Sequence, residues 1–210
     1  MTTITDRMRE ALIQGLDADV RRLAQEALVA GLPAKEVLET GLIPAMEIIG
    51  ERFRTREIFL PDILLAARAM HAGLEVVKPS LEGGEVTARG TVVMGTVEGD
   101  LHDIGKNLVG IMLRGVGYEV VDLGTNVSPS AFVDAVTRRR AHVVGMSALL
   151  TTTMPAMGRV IAALRAAGLH DVKTIVGGAA VSEAFAREIG ADAYAGDAAR
   201  ACEIVRSWVT

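Results

Sequence analysis

From residue 90 onward, short apolar runs alternate with longer stretches of helical periodicity. Five such repeats predict a parallel, doubly wound sheet, because each crossover helix must return the chain to the start of the next strand. Runs that are apolar at nearly every position fit strands buried on both faces. The strands are predicted at Gly90 to Gly95, Tyr118 to Asp122, His142 to Ser147, Lys173 to Gly177 and Asp192 to Tyr194. The helices are predicted at Ile104 to Arg114, Pro129 to Arg139, Met154 to Ala167, Val181 to Ile189 and Asp197 to Val209.

The N-terminal part of the chain shows helical periodicity throughout and predicts a small bundle. Because proline breaks the backbone ladder of a helix, Pro44 predicts a kink or a break near Ile43. The apolar run Ile58 to Leu60 either packs the fourth helix on the third or presents an aromatic lid to a neighbouring domain. The four helices are predicted at Thr5 to Gln14, Asp17 to Ala30, Ala34 to Phe53 and Leu60 to Val77.

A charged stretch of low hydrophobicity separates the two patterns. It runs from Lys78 to Arg89 and contains Pro79 and two consecutive glycines, Gly83 and Gly84. This composition is typical of a linker between domains. We therefore predict a helical cap bundle with its linker at residues 1–88 and an α/β domain at residues 89–210.

Composition excludes several classes of function. The chain has 210 residues, half of them apolar, and a net charge of −4 with both signs interspersed, which gives no basic surface for nucleic acid. We find no long apolar segment that could span a membrane and no signal peptide, so we expect a cytoplasmic protein. The lone Cys202 excludes an internal disulfide and fits a packing role.

The loop from Gly95 to Asn107 carries the most chemistry. It places Asp100 and His102 two residues apart at the carboxyl end of the first strand, where open α/β sheets hold their ligands. Five residues separate Gly99 from Gly105, so the spacing does not match a phosphate-binding P-loop, and no dinucleotide fingerprint is present. Two simpler interpretations stay open at this point, which are a divalent metal site using Asp100, His102 and Asp103, and a helix cap.

Small residues also follow the other strands at the same predicted edge. In a sheet of order 2-1-3-4-5, the loops Ser147 to Thr153, Gly177 to Ala180 and Tyr194 to Asp197 would line one crevice with the His102 loop. Glycine and alanine there would open a slot for a flat ligand. Thr153 is also expected to help cap the helix that follows it.

Together these residues resemble a known family. The run from Gly95 to Asn107, the Ser-x-Leu motif at Ser147 and the glycine pair Gly177 and Gly178 closely resemble the cobalamin-binding module of methionine synthase. They are equally similar to the corrinoid proteins of methanol, methylamine and O-demethylase methyltransferase systems. The helical part, with its motifs at Gly50 and Phe59, resembles the cap bundle of that family.

The resemblance implies a role for each matching residue. His102 would replace the cofactor's own base as the lower ligand of cobalt, with the nucleotide tail of the cofactor in the slot. Asp100 would orient the His102 ring, and Thr153 would extend this hydrogen-bonded relay as the third catalytic residue. Phe59 and Leu60 would shelter the methyl group. The remaining cofactor-binding residues implied by the resemblance are Gly99, Leu101, Asp103, Ile104, Gly105, Ser147, Leu149, Thr151, Gly177, Gly178, Tyr194 and Gly196.

The resemblance also implies a methyl carrier rather than a complete enzyme. Its cofactor, methylcobalamin or a related corrinoid, would cycle between cobalt(I) and methylcobalt(III), with proton uptake at the His102 and Asp100 pair. A substrate-specific methyltransferase would load the methyl group, and a second would pass it to tetrahydrofolate or a thiol. A reductive reactivase would restore oxidised cobalt.

Two other classes remain as alternatives. A cobalamin-dependent sensor would share the same pair of domains, and a cobalamin mutase subunit is a related possibility. A metal hydrolase using Asp100 and His102 would bind zinc or manganese and show no colour. Neither nucleic acid nor a membrane is expected as a partner.

Overall fold

A computed structural model of the protein describes residues 2–81 and 88–209. The chain forms two compact units, one of Met1–Thr87 with Gly115–Gly117 and the other of Ala88–Arg114 with Tyr118–Thr210. Within the described part of the chain, no helix is both long enough and apolar enough to cross a membrane.

The first unit is helical, as the periodicity of its sequence predicts. Helix α2 packs on α5, and α1 packs on α2. Its elements are α1 (Ile4–Ile13), α2 (Asp17–Val29), α3 (Ala34–Glu36), a π-helical turn (Val37–Leu42), α4 (Ile43–Arg54) and α5 (Leu60–Leu81). Its core includes the fully buried side chains of Met8, Leu12, Leu42, Met46, Ile49 and Ile63. Burial of this apolar surface is the main stabilising contribution.

The predicted third helix is interrupted. Because Pro44 has no N–H to donate to Thr40, the helical ladder changes register just before it, and the Ile43 N–H donates to the Leu38 carbonyl, five residues back. Helix α4 then begins at Ile43 with the proline in its first turn, where no N–H is needed. The predicted break near Ile43 is confirmed, but the prediction of one helix over Ala34 to Phe53 is wrong.

The start of the predicted linker is helical. Helix α5 continues past Val77 to Leu81 and contains Pro79, because a proline this close to the helix end removes only one backbone hydrogen bond. The remainder of the predicted linker falls largely on residues 82–87, which lie outside the described residues.

The second unit is a five-stranded sheet of order β2-β1-β3-β4-β5 in which every pairing is parallel. This confirms the predicted fold class and strand order. The strands are β1 (Thr91–Thr96), β2 (Glu119–Asp122), β3 (Val143–Ser147), β4 (Lys173–Gly177) and β5 (Ala193–Ala195). The helices are α6 (Ile104–Gly115), α7 (Pro129–Arg139), α8 (Pro155–Ala166), α9 (Glu183–Glu188) and α10 (Ala198–Trp208).

Parallel register aligns the carboxyl ends of four strands. Thr96 lies opposite Ser147, Ser147 opposite Gly177, and Gly177 opposite Ala195. Beneath this edge, valines of β1, β3 and β4 pack against the buried side chains of Phe132 and Met157. The rigid sheet therefore brings the loops after β1, β3, β4 and β5 to one edge.

Candidate functional site

Asp100 is the centre of a hydrogen-bond network at this edge, and its side chain is 0% exposed. One carboxylate oxygen, Oδ1, accepts from the His102 N–H at 3.0 Å and from the His102 ring at 2.8 Å. The other, Oδ2, accepts from the Leu149 N–H at 2.8 Å, the Leu150 N–H at 3.4 Å and the Thr153 hydroxyl at 2.7 Å. Asp100 therefore joins the loop after β1 to the loop after β3.

The network determines the charge of Asp100. Burial favours the neutral acid, but hydrogen bonds from His102, Thr153 and Leu149 outweigh it and hold the pKa of the carboxyl group well below its usual range. Asp100 is therefore ionised at neutral pH. An ionised carboxylate can only accept hydrogen bonds, so each of its partners must supply a proton.

This requirement fixes the tautomer of His102. Its Nδ1 donates to Asp100, so a neutral ring carries its lone pair on Nε2. The side chain is 52% exposed, and within the described residues no hydrogen bond engages Nε2. A half-exposed imidazole nitrogen oriented by a buried carboxylate is the usual arrangement of a metal-ligating histidine.

Thr153 serves this network and is not a helix cap. Its hydroxyl lies 2.7 Å from Asp100 Oδ2 and 2.9 Å from the Leu150 carbonyl. Helix α8 begins at Pro155, and its capping residue Met154 makes no side-chain capping bond. The expectation that Thr153 helps to cap α8 is therefore wrong, because its hydroxyl is directed at Asp100 and Leu150 rather than at an N–H of the helix.

Sequence reasoning missed two residues that hold the His102 loop. Asn126, in the left-handed conformation with φ of 55°, accepts the Gly99 N–H at 2.8 Å and donates its own N–H to the Asp100 carbonyl at 2.9 Å. Thr96 donates its hydroxyl to the His102 carbonyl at 2.9 Å. The only local signal for Asn126 was an asparagine in a glycine-containing turn, since asparagine tolerates this conformation.

An ion pair between a buried lysine and a partly exposed aspartate fixes the start of α6. Lys106 Nζ lies 2.6 Å from Asp122 Oδ2 at the end of β2 and 2.6 Å from Asn107 Oδ1. Asn107 in turn donates to Asp103 Oδ2 at 2.9 Å. Asp103, a predicted cofactor-binding residue, is thus engaged within the first turn of the helix.

Exposed apolar side chains surround His102. Leu101 is 72% exposed and Ile104 is 75% exposed, and Leu149 and Leu150 across the edge are also exposed. Among the described residues of this unit, these four are the large apolar side chains that are left exposed. Exposed apolar side chains on loops at one edge of a sheet are typical of a ligand-contacting face.

Gly105 lies in the same loop, and neither its backbone angle nor packing requires a glycine there. A Cβ built at this position has nothing within 4 Å. The glycine therefore leaves open space in the first turn of α6 that the fold itself does not use.

At the glycine pair after β4, close packing of the backbone explains why glycine is present. A Cβ on Gly178, whose φ is 122°, would overlap the Ala148 carbonyl, and a Cβ on Gly177 would lie 2.8 Å from the Ala195 carbonyl oxygen. Neighbouring backbone thus occupies the space that the sequence predicted as part of an open slot. These glycines allow close contact between loops, and their contact with a ligand stays a prediction.

The remaining predicted residues lie at the edge or in the helical unit. Ser147 and Tyr194 are half-buried, whereas Thr151 and Gly196 are exposed, all at the carboxyl edge. In the helical unit Phe59 is 68% exposed and Leu60 is partly exposed, so the Phe59 ring is not packed in the helical core. Elsewhere, burial raises the pKa of the Cys202 thiol to about 12, which fits a packing role.

Within residues 2–81 and 88–209, no three His, Cys, Asp or Glu side chains are grouped to hold a metal ion by themselves. His102 provides one exposed ring nitrogen, framed by apolar side chains. The fold and this site define an α/β protein that presents one half-exposed histidine at the switch point of a parallel sheet.

Comparisons with known proteins identify the family. Residues 90–206 match a family model described as a B12 binding domain, and residues 4–78 match a second model with the same description. The chain is 43% identical over 194 residues to the trimethylamine corrinoid protein of Methanosarcina barkeri, covering 91% of this chain and 89% of that protein. It is 38% identical to a corrinoid protein of Desulfitobacterium hafniense (strain Y51), covering 96% and 95%.

Solved structures agree with these relatives. The methanol:cobalamin methyltransferase complex MtaBC of Methanosarcina barkeri matches with a TM-score of 0.89 and 33% identity, covering 97% of this chain and 78% of that chain. A cobalamin-binding protein of Desulfitobacterium hafniense DCB-2 matches with a TM-score of 0.82 and 32% identity, covering 98% of both chains. The chain therefore belongs to the B12-binding corrinoid proteins of methyltransferase systems. Its predicted cofactor, a cobalamin or related corrinoid, is confirmed.

Proposed function

We propose that the chain is a methyl carrier in which His102 Nε2 ligates the cobalt of a bound corrinoid and displaces the cofactor's own base. The observation that carries this proposal is the Asp100–His102 pair, in which the 2.8 Å bond fixes the proton on Nδ1. The opposite ring nitrogen is then left with a lone pair for a metal.

The surroundings of His102 fit a macrocycle. Leu101 and Ile104 offer apolar surface to a flat ring, and the open space at Gly105 leaves room for its edge. When bound, the corrinoid supplies a cobalt centre that accepts and releases a methyl group. His102 would hold the cobalt through Nε2, and Asp100 would keep the imidazole oriented for it.

Thr153 and Asp100 would adjust how strongly His102 donates. Because Asp100 is ionised and takes the Nδ1 proton as a hydrogen bond, it makes the imidazole a better electron donor. Thr153 stabilises the same carboxylate from its other oxygen. Proton uptake at this pair would accompany loss of the His102 ligand.

We further propose that the nucleotide tail enters the carboxyl edge between β1, β3, β4 and β5. Ser147 at the end of β3 provides a half-buried hydroxyl for it, and Tyr194 lies near the end of β5. Leu149, Thr151, Gly177, Gly178 and Gly196 complete the proposed lining. In the helical unit, the exposed Phe59 and Leu60 would shelter the methyl group.

The partners we propose follow from the names of the relatives. Trimethylamine corrinoid proteins and a methanol:cobalamin methyltransferase complex are among them, so a substrate-specific methyltransferase would load this carrier. A second methyltransferase would pass the methyl group to tetrahydrofolate or a thiol. A reductive reactivase would return oxidised cobalt to the active state.

The deciding experiment compares the wild type with His102→Ala after loading with hydroxocobalamin and removing free ligand. We expect the wild type to retain the cofactor with the visible spectrum of a histidine-ligated corrinoid, and His102→Ala to lose that spectrum. His142→Ala is the matched control, because His142 is exposed at the opposite edge, where its Nδ1 accepts the Thr91 N–H. An unchanged spectrum in His102→Ala would overturn the assignment of the ligand.

A further inference from the structure

Two hydroxyl groups connect the ends of neighbouring strands to the main chain of His102. Thr96 is the last residue of β1 and Ser147 the last residue of β3, and they lie opposite each other in the parallel register. Their hydroxyl oxygens are 3.0 Å apart. Thr96, which is 0% exposed, also lies 2.9 Å from the carbonyl oxygen of His102.

The direction of these hydrogen bonds is determined by chemistry. A carbonyl oxygen can only accept, so the single Thr96 proton points at His102. Thr96 then has only lone pairs to offer Ser147, and Ser147 must donate to it. Ser147 therefore orients the hydroxyl that holds the His102 carbonyl.

His102 is consequently held from both sides of its main chain. Asp100 Oδ1 accepts its N–H at 3.0 Å, and Thr96 donates to its carbonyl. The ring is fixed separately by the 2.8 Å bond to Asp100. Losing the Thr96 hydroxyl would release one of the two main-chain anchors and leave the ring bond to Asp100 in place.

We propose that Thr96 is a positioning residue that couples Ser147 to His102. The inference rests on the proposed function, in which Ser147 lines the slot for the nucleotide tail and His102 ligates cobalt. A tail group that takes the Ser147 proton removes the donor that orients Thr96. Binding of the tail in the slot would therefore change how firmly Thr96 holds the main chain of His102, the proposed cobalt ligand.

The test removes the hydroxyl while keeping the branched shape, in Thr96→Val. After loading with hydroxocobalamin, we expect the ratio of histidine-ligated to unligated cofactor, read from the visible spectrum, to fall about tenfold because the His102 carbonyl loses its partner. Thr96→Ser restores the hydroxyl and should return the ratio to within about twofold of the wild type. In Ser147→Ala the ratio should lie between those of Thr96→Val and Thr96→Ser, because the Thr96 hydroxyl can still donate to the His102 carbonyl.

The matched control is Thr91→Val on the same strand. Thr91 is also buried, but its hydroxyl donates to Glu119 at 3.0 Å at the opposite edge of the sheet. It should leave the spectrum unchanged. A second measurement needs no cofactor: in the apo-protein, amide hydrogen exchange at His102 should speed up in Thr96→Val and stay at the wild-type rate in Thr91→Val.

The outcomes separate the two proposals. If His102→Ala changes the spectrum while folded Thr96→Val matches the wild type in both measurements, the positioning role is overturned and the ligand assignment stands. If His102→Ala leaves the spectrum unchanged, the assignment of His102 as the cobalt ligand is overturned, and the positioning role that rests on it is overturned as well. Should Thr96→Val not fold, Ser147→Ala decides, since an unchanged ratio and unchanged exchange at His102 would overturn the coupling.

Discussion

The two edges of the sheet each carry an aspartate bonded to a threonine and to main-chain N–H groups. At the amino edge, Asp192 Oδ2 accepts the N–H and the hydroxyl of Thr174, each at 2.8 Å, and Lys173 lies 3.4 Å from Oδ1. At the carboxyl edge, Asp100 has the corresponding bonds to Leu149 and Thr153, and it also holds His102. The other partners differ: Asp192 is paired with Lys173 and Arg165, whereas Asp100 bonds His102 and the Leu150 N–H.

This difference distinguishes an aspartate that stabilises the fold from an aspartate that orients a side chain of the candidate site. Every partner of Asp192 belongs to the local strands or is a lysine or arginine that neutralises its charge. Asp100 instead directs its charge at an exposed imidazole, in a region without a charged side chain bonded to the carboxylate. The same hydrogen-bonding device closes a strand edge in one place and orients an exposed imidazole in the other.

The largest effect on stability is expected at Gly178, and it tests whether this residue of the carboxyl edge is needed for the fold. Gly178→Ala should destabilise the protein by about 3 kcal/mol or more, because its Cβ would overlap the Ala148 carbonyl at a positive φ. Gly168→Ala is the control, since its φ of 78° is also positive but nothing lies within 4 Å, and it should cost only about 1 kcal/mol. Urea denaturation of both apo-proteins measures the difference. Equal costs would mean that strain at φ, not contact with Ala148, explains Gly178.

The variants Asp100→Asn and Asp192→Asn should differ in their effect on the visible spectrum of the bound corrinoid. In Asp100→Asn, the asparagine amide group must face one of the N–H donors, which we expect to cost about 2 kcal/mol of stability. It also removes the charge that fixes the His102 tautomer, so the corrinoid should stay bound with a smaller histidine-ligated fraction. Asp192→Asn should cost a similar or smaller amount and leave the visible spectrum unchanged. A changed spectrum in Asp192→Asn would contradict the division between the edges.

The charge of Asp192 at the amino edge should make the stability of the protein depend on pH. Burial raises the pKa of Asp192, but hydrogen bonds from Thr174 and the charge of Lys173 outweigh it, so the pKa is lowered on folding. A lowered pKa adds stability above the unfolded value of about 3.9, and this is lost as the pH falls towards the folded value. The stability difference between the wild type and Asp192→Asn should therefore be full at pH 7 and smaller at pH 3. A difference independent of pH would exclude the charge as its cause.

The smallest effect on stability is expected at Gly105. Gly105→Ala should raise apo-protein stability by at most about 1 kcal/mol through helix propensity, yet weaken corrinoid binding by filling the open space at this position. Gly158→Ala in α8 is the control, because its Cβ would make an ordinary contact with Ile189 at 3.5 Å. It should affect stability similarly and leave binding unchanged. Binding titrations followed by visible absorbance measure both, and unaltered binding in Gly105→Ala would remove Gly105 from the site.

Most of the fold was predictable, because alternating strands and helices admit few topologies. The errors fall where long-range contacts decide a boundary. Strand β5 begins one residue later than predicted, at Ala193, since Asp192 is used to bond Thr174 across the edge. A kink or a break near Ile43 was predicted from Pro44, but the π-helical turn that precedes it was not, because no sequence pattern marks it.

The site was less predictable than the fold. The pairing of Asp100 with His102 is local, so two-residue spacing was enough to find it. Thr153 lies 53 residues from Asp100, and Asn126 bonds a loop 27 residues away. No local pattern marks such contacts, so Thr153 was assigned to this site only from the family resemblance, and Asn126 was missed.

The Asp100 network has a further consequence for the thermodynamics of cofactor exchange. Hydrogen bonds within the chain, to Asp100 and from Thr96, already orient the His102 ring and its main chain. The loop's conformational entropy is therefore lost during folding and does not subtract from the free energy of corrinoid binding. If His102 ligates cobalt as proposed, it could be released and regained repeatedly without reordering the protein each time.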